Sequence, residues 1–265
     1  MSGVLIDGSL VHYETFGRGQ PVVFVHGWLG SWRYWVPVMD ELSVDFRTYA
    51  LDLWGFGDSD KEREAYDIES YVELLISFMD ELGIWHTPLV GHTLGAAIAA
   101  QTAARHPDRV TKVMAVGLPL AADGINHKLL AAGPNDFLAR LFWHRQRPYA
   151  EIEMSVPKIA KNAIALTIQS VARLDMKQTL DEIDAPVLTV YGAKDSIVSP
   201  DQVKDLDAEH AHYAARAIVL PDSFHFPMLD ETAKFTRLLR DFMDVESPEE
   251  LQELAIKKEW RRRTR

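Results

Sequence analysis

Short apolar runs that end in glycine or a polar turn alternate with segments of helical period along most of the chain, the arrangement expected of a mainly parallel sheet covered by helices. VLIDG and LVHYETFG read as an opening antiparallel pair. PVVFVHG is a buried strand closed by Gly27, a helix follows from near Ser31 in SWRYWVPVMDEL, and FRTYALDLWG is the next strand. Asp67 caps a helix on which Ile68, Tyr71, Val72, Leu75, Phe78, Met79 and Leu82 share one stripe, ending at Gly83. TPLVG and VTKVMAVG bracket a helix after Thr93 whose alanines let it lie close on the sheet. APVLTVYG and ARAIVLPDS are two more strands, separated by SPDQVKDLDAEHA, a helix with Ser199 as cap and Pro200 at its first position.

From about Ala121 to Leu180 the strand alternation gives way to helical periodicity, punctuated by Gly133-Pro134, Pro148 and Pro157. The pattern predicts a core made of residues 1–120 and 181–246, a helical cap over 121–180, and a C-terminal helix and tail over 247–265. Such a cap sits over the carboxyl ends of the strands, where open α/β sheets bind ligands. Phe137, Leu138, Leu141, Phe142, Trp143, Tyr149, Met154 and Ile159 are available to line an apolar pocket there, although apolar residues at this spacing more ordinarily pack a cap onto its core. In SPEELQELAIKKEWRRRTR a capping serine, an early proline, acids first and bases last suit a helix dipole. The basic end is read as a solvated helix terminus.

The 265 residues have ordinary apolar and charged content, which suits one α/β domain with an insertion. A formal net charge of −11 disfavours a nucleic-acid surface and implies repulsion with phosphate. With no cysteine, disulfides, thiol nucleophiles and thiolate metal sites are excluded together. No basic region followed by an apolar stretch opens the chain, and no apolar run is long enough to span a bilayer, so the expectation is a soluble, cytoplasmic protein without a membrane partner. The oligomeric state is not readable.

One stretch carries chemistry. In LVGHTLGAAIAA a buried strand ends at Val90 and a small-residue helix begins at Leu94, so Gly91 to Gly95 must turn a tight strand-to-helix corner that lifts the central side chain, Thr93, clear of the backbone. Taken together, FVHGWLGSWRYW, LDLWGFGDSD, VGHTLGAAIAA, YGAKDSIVSP and DSFHFPMLD resemble the α/β-hydrolase superfamily, from Val4 to Met243, each segment at the end of a predicted core strand. The resemblance implies the α/β-hydrolase fold, a mainly parallel eight-stranded sheet flanked by helices with a helical lid. It implies a triad in the chain order nucleophile, acid, histidine, which falls here on Thr93, Asp195 and His225, with the backbone amides of Trp28 and Leu94 forming an oxyanion hole. No cofactor and no metal are implied, and the expected partner is a small-molecule substrate. Haloalkane dehalogenases and epoxide hydrolases of this fold use aspartate at the elbow, where this chain has Thr93.

Other residues fit less well. Phe224 stands before His225 where the family often has glycine, which implies an altered pocket wall. His92, inside the elbow, is expected to point away from the reaction. Asp52 is read as support for its loop. His210 and His212 alternate without a third ligand nearby, and Arg140, Arg145 and Arg147 are ordinary exposed cap charges unless the substrate is anionic.

Serine is the usual residue at the elbow, and threonine there is β-branched at a position that needs positive φ, which costs on the order of 1 to 3 kcal/mol of strain. Three readings stay open on sequence. Thr93 is the nucleophile of an esterase-like hydrolase acting on a small, fairly apolar ester, slowed by its methyl. Alternatively, the Asp195–His225 pair works as general base in a lyase or carbon–carbon hydrolase without covalent attack, or the protein is an inactive binder of a small ligand. Both Asp195 and His225 are present, which a pure binder does not need.

Overall fold

The structure, a computed structural model, describes residues 2–62, 66–121, 124–125, 149–204, 206 and 215–257. Eight strands form one sheet in the order β1-β2-β4-β3-β5-β6-β7-β8, where β1 is Ser2–Ile6, β2 Ser9–Phe16, β3 Gln20–Val25, β4 Phe46–Leu51, β5 Thr87–His92, β6 Val110–Val116, β7 Val187–Gly192 and β8 Ala215–Leu220. β2 runs antiparallel to both β1 and β4, and every pairing from β4 to β8 is parallel.

The order of the strands decides where the helices lie. From β3 the chain crosses through α1 (Val36–Leu42) to β4 on one side. From β4 and β5 it crosses through α2 (Ile68–Glu81) and α3 (Leu94–Arg105) toward the other side. Right-handed crossovers in opposite directions put α1 on one face and α2 and α3 on the other. The contacts agree: α2 packs on α3, and α1 packs against α8 (Thr232–Met243). The direction reverses between β3 and β5, so the crevice at the carboxyl ends of these two strands is the topological switch point at which open α/β sheets bind ligands.

Local signals act as the sequence predicts. Asp67 caps α2 through Ser70 N–H at 2.8 Å, and Gly83 follows its end at φ +67°. Ala96, Ala97, Ala99, Ala100 and Ala103 of α3 are buried and Ala104 is half-buried, which lets the helix lie flat on the sheet. Ser199 caps a turn of 3-10 helix at Pro200–Gln202; most of the predicted helix beyond it lies outside the described residues.

Two elements differ from expectation. The helix after Ser31 is split into a 3-10 turn at Trp32–Trp35 and then α1, which carries Pro37 in its first turn. The C-terminal helix, α9 (Pro248–Glu253), is capped by Ser247 but stops early: Leu254 turns to extended backbone, and Leu254 and Ile256 both pack on the core at a strand-like spacing that a helix would not provide. The basic run 260–265 lies outside the described residues.

Between β6 and β7 the described residues contain α4 (Ala150–Ser155), α5 (Ala163–Val171) and α6 (Met176–Asp181), and one isolated bridge, Ile125 to Val198. Ser155 Oγ bonds Ser31 Oγ at 2.7 Å, and Asp58 pairs with both Lys158 and Arg33, tying this segment to the loops above β3 and β4. α7 (Pro227–Asp230) then carries Asp230, which accepts from the Tyr149 hydroxyl at 2.7 Å.

Candidate active site

The corner between β5 and α3 is built by close approach. A Cβ on Gly91 would stand 2.2 Å from the carbonyl oxygen of Gly95, and one on Gly95 would stand 2.2 Å from that of Val25, so only glycine lets the helix start seat on the strand ends. Thr93 caps α3 with φ 48° and ψ −102°, the left-handed backbone expected of an elbow, and its N–H is held by the Val116 carbonyl at 2.8 Å. α3 contributes the amide of Leu94 at its N-terminus.

His225 and Asp195, 30 residues apart, meet beyond the ends of β7 and β8. Asp195 Oδ1 accepts from the amides of Ile197 (2.8 Å) and Val198 (3.1 Å), which fixes the carboxylate and aims Oδ2 at His225 Nδ1, 2.9 Å away. A carboxylate can only accept, so Nδ1 carries the proton and Nε2 keeps its lone pair, the tautomer a general base needs. Asp230 Oδ2 accepts from Phe224 N–H and Glu231 Oε2 accepts from Ser223 Oγ, both at 2.8 Å, so the loop bearing His225 is clamped from α7 and the start of α8. The half-buried ring of Phe224 lies under Lys194 Nζ, 5.8 Å from its centroid.

The amide of Trp28 is oriented by the peptide before it. His26 Nδ1–H donates to the Gly27 carbonyl at 2.9 Å, while its Nε2 accepts from Leu53 N–H at 3.0 Å. Gly30 N–H also donates to that carbonyl, at 3.0 Å. In a trans peptide the C=O and the following N–H point in opposite directions, so holding Gly27 C=O aims Trp28 N–H the other way. Burial pushes the His26 pKa down, keeping the ring neutral for this double role. Among the described residues neither the Trp28 nor the Leu94 amide has an acceptor.

The structure does not join Thr93 to His225 by a hydrogen bond. Thr93 is fully buried. Its hydroxyl lies beside Gly27, where a Cβ on the glycine would come within 2.1 Å of Oγ1, and among the described residues the oxygen has no hydrogen-bond partner. The methyl faces Gly117, whose Cβ would stand 3.4 Å from Cγ2.

His92 corrects its sequence reading. Its ring does not point away but sits 4.8 Å from that of His225, centroid to centroid, and both its nitrogens are engaged: Nε2 with the His225 carbonyl at 2.9 Å and Nδ1 with the Tyr34 hydroxyl at 3.2 Å. Tyr34 was not singled out by sequence reasoning. Only its place in the turn after the HG pair hinted at it.

Asp52 is wholly buried and accepts from Trp32 N–H and Asp58 N–H, both at 2.8 Å, and from His12 at 3.2 Å, so it does support its loop. His12, Asp52 and Asp58 are near enough to share an ion, yet Asp52 is occupied by these bonds and Asp58 by Arg33 and Lys158, which leaves the donor set a poor fit to a metal. Of the apolar residues expected to line a cap pocket, Met154 is 53 % exposed, Ile159 packs partly buried on the core, and Tyr149 stacks edge-on against Phe226. Phe137, Leu138, Arg140, Leu141, Phe142, Trp143, Arg145, Arg147, His210 and His212 lie outside the described residues.

An eight-stranded sheet of this order, flanked by helices and turning a tight strand-to-helix corner at its switch point, is the α/β-hydrolase fold. The profile of the alpha/beta hydrolase fold matches residues 20–149, and the chain has this fold. It is 28 % identical over 255 residues to the pimeloyl-[acyl-carrier protein] methyl ester esterase of Vibrio cholerae serotype O1, covering 88 % of this chain and 97 % of that one. Among solved structures it is similar to E-2-(acetamidomethylene)succinate hydrolase, with TM-score 0.79, 23 % identity and coverage of 92 % and 98 %. It is also similar to the enol-lactonase from Burkholderia xenovorans LB400, with TM-score 0.74, 22 % identity and coverage of 92 % and 100 %.

Proposed function

We propose that this protein is a carboxylic ester hydrolase in which Thr93 is the nucleophile, His225 the base, Asp195 the residue that orients it, and the Trp28 and Leu94 amides the oxyanion donors. The observation that carries the reading is the 2.9 Å bond from His225 Nδ1 to Asp195 Oδ2, which leaves Nε2 free to take a proton beside the switch point. The methyl ester esterase and lactonase among the similar proteins act on acyl–oxygen bonds by name, which supports the ester as substrate class.

Attack begins with a turn of Thr93 about χ1 that brings Oγ1 from Gly27 toward His225. A buried hydroxyl without a partner holds no bond that opposes this turn. Oγ1 then bonds the ester carbon as its proton passes to Nε2, and the carbonyl oxygen takes the negative charge between the two amides. The alcohol leaves with the proton from His225. Water, deprotonated by the same nitrogen, next attacks the acyl–Thr93 ester and releases the acid. The residues 121–180 serve as cap over this site. The proposal includes a small, fairly apolar substrate, no cofactor or nucleic acid, and action in the cytoplasm. No helix among the described residues is long and apolar enough to cross a membrane.

Mass spectrometry of the protein quenched during turnover of short-chain nitrophenyl esters tests the covalent route. The expected result is an acyl adduct on the peptide containing Thr93; ester turnover that persists unchanged in Thr93→Ala overturns it.

A further inference from the structure

We propose that Tyr34 and His92 form a buried positioning relay that locks the oxyanion strand end at Gly27 to the backbone of His225, so that the two halves of the site keep one spacing. The proposal rests on the reading of His225 as base and of the Trp28 amide as oxyanion donor.

The direction of every bond in the relay follows from its ends. The His225 carbonyl can only accept, so His92 Nε2 carries the hydrogen and donates to it at 2.9 Å. A neutral imidazole protonated at Nε2 has a bare Nδ1, which accepts from the Tyr34 hydroxyl at 3.2 Å. The Tyr34 oxygen in turn accepts the Gly27 N–H at 2.6 Å. Gly27 is thereby held at both ends, by Tyr34 at its N–H and by His26 at its carbonyl. Reversing any member would set two donors or two acceptors face to face.

Neutrality of both rings is built in. Tyr34 and His92 are at most 1 % exposed, and burial pushes the phenol pKa up and the imidazole pKa down, with the neighbouring His225 and His26 opposing a charge on His92. Tyr34 stands edge-on to His92 at 90° with centroids 5.6 Å apart, and Phe226 packs against both rings. The His225 ring itself makes no hydrogen bond with His92; the relay grips the main chain and leaves Nε2 of the base open.

Two readouts test this. In the parent protein, 15N NMR of the histidines is expected to show His92 as the Nε2–H tautomer, and Tyr34→Phe to keep that tautomer while shifting the Nδ1 resonance as its hydrogen-bond donor is lost. An Nδ1–H tautomer in the parent overturns the relay whatever the protein's activity. In ester kinetics, Tyr34→Phe and His92→Leu are expected to lower kcat about 10- to 100-fold with KM nearly unchanged, the cost of sub-ångström misalignment. His92→Gln, whose amide N–H can still reach the carbonyl, is expected to recover most of the loss. Equal kcat in parent, Tyr34→Phe and His92→Leu overturns the relay. Unchanged turnover in His225→Ala overturns instead the reading of the base, with the tautomer measurement still deciding the relay.

Discussion

The Thr93 hydroxyl lies so near Gly27 that one methyl group on the glycine would stand 2.1 Å from Oγ1 and 2.9 Å from His92 Nδ1. Gly27→Ala displaces the Thr93 hydroxyl, and because the added methyl would also stand 2.9 Å from the His92 carbonyl oxygen, the elbow backbone or the strand end has to move as well. A displacement of about 1 Å costs roughly a hundredfold in rate. Kinetics on a nitrophenyl ester panel should show at least that loss, with the variant still folded by circular dichroism.

Thr93 is the other half of that contact. Its β-branched side chain at φ 48° stores strain on the order of 1 to 3 kcal/mol, and each 1.36 kcal/mol is tenfold in rate. Thr93→Ser removes the methyl facing Gly117, and the expected outcome is turnover raised by about tenfold. Thr93→Ala removes the hydroxyl and should leave only background hydrolysis.

Asp195 fixes the tautomer of His225, and Asp195→Asn allows the amide to donate and the imidazole to turn over. The loss of kcat expected is about 10⁴-fold, the size seen where a buried aspartate orients a catalytic histidine. The pH profile separates this from unfolding, because Asn at this position changes kcat at every pH while thermal melting moves little.

Stability should fall below neutrality, and the two buried histidines set the direction. His26 and His92 both have pKa values depressed by burial, with Asp52 partly opposing the shift at His26. In the unfolded chain each binds a proton near pH 6.5 while the folded protein still excludes it. The stability they contribute is present above pH 6.5 and is lost as pH falls below it, by about 1.4 kcal/mol per pH unit for each histidine. Urea unfolding between pH 7.5 and 5 measures this, and His92→Gln should reduce the slope by about one proton.

Much of the site was legible because its demands are local. A tight corner needs small residues on both flanks, and Gly91 and Gly95 bracket Thr93 in the sequence just as they close on β3 and α3 in the fold. Asp67, Ser199 and Ser247 cap the turns they precede for the same reason, since a cap bonds an amide only two or three residues ahead. The chain order of Thr93, Asp195 and His225 located the pair that meets at 2.9 Å.

What the pattern of residues determined by itself was the alternation of strands and helices, the elbow, and the positive φ of Thr93, because periodicity and backbone sterics act between near neighbours. Only the tertiary structure decided which way the Thr93 hydroxyl turns and that His92 faces inward to a carbonyl 133 residues further along the chain. It also decided that Tyr34 completes the bond chain and that α9 ends before the basic run. Each of these depends on which distant group fills the space beside a side chain, and that is set by how the sheet and its helices close on one another.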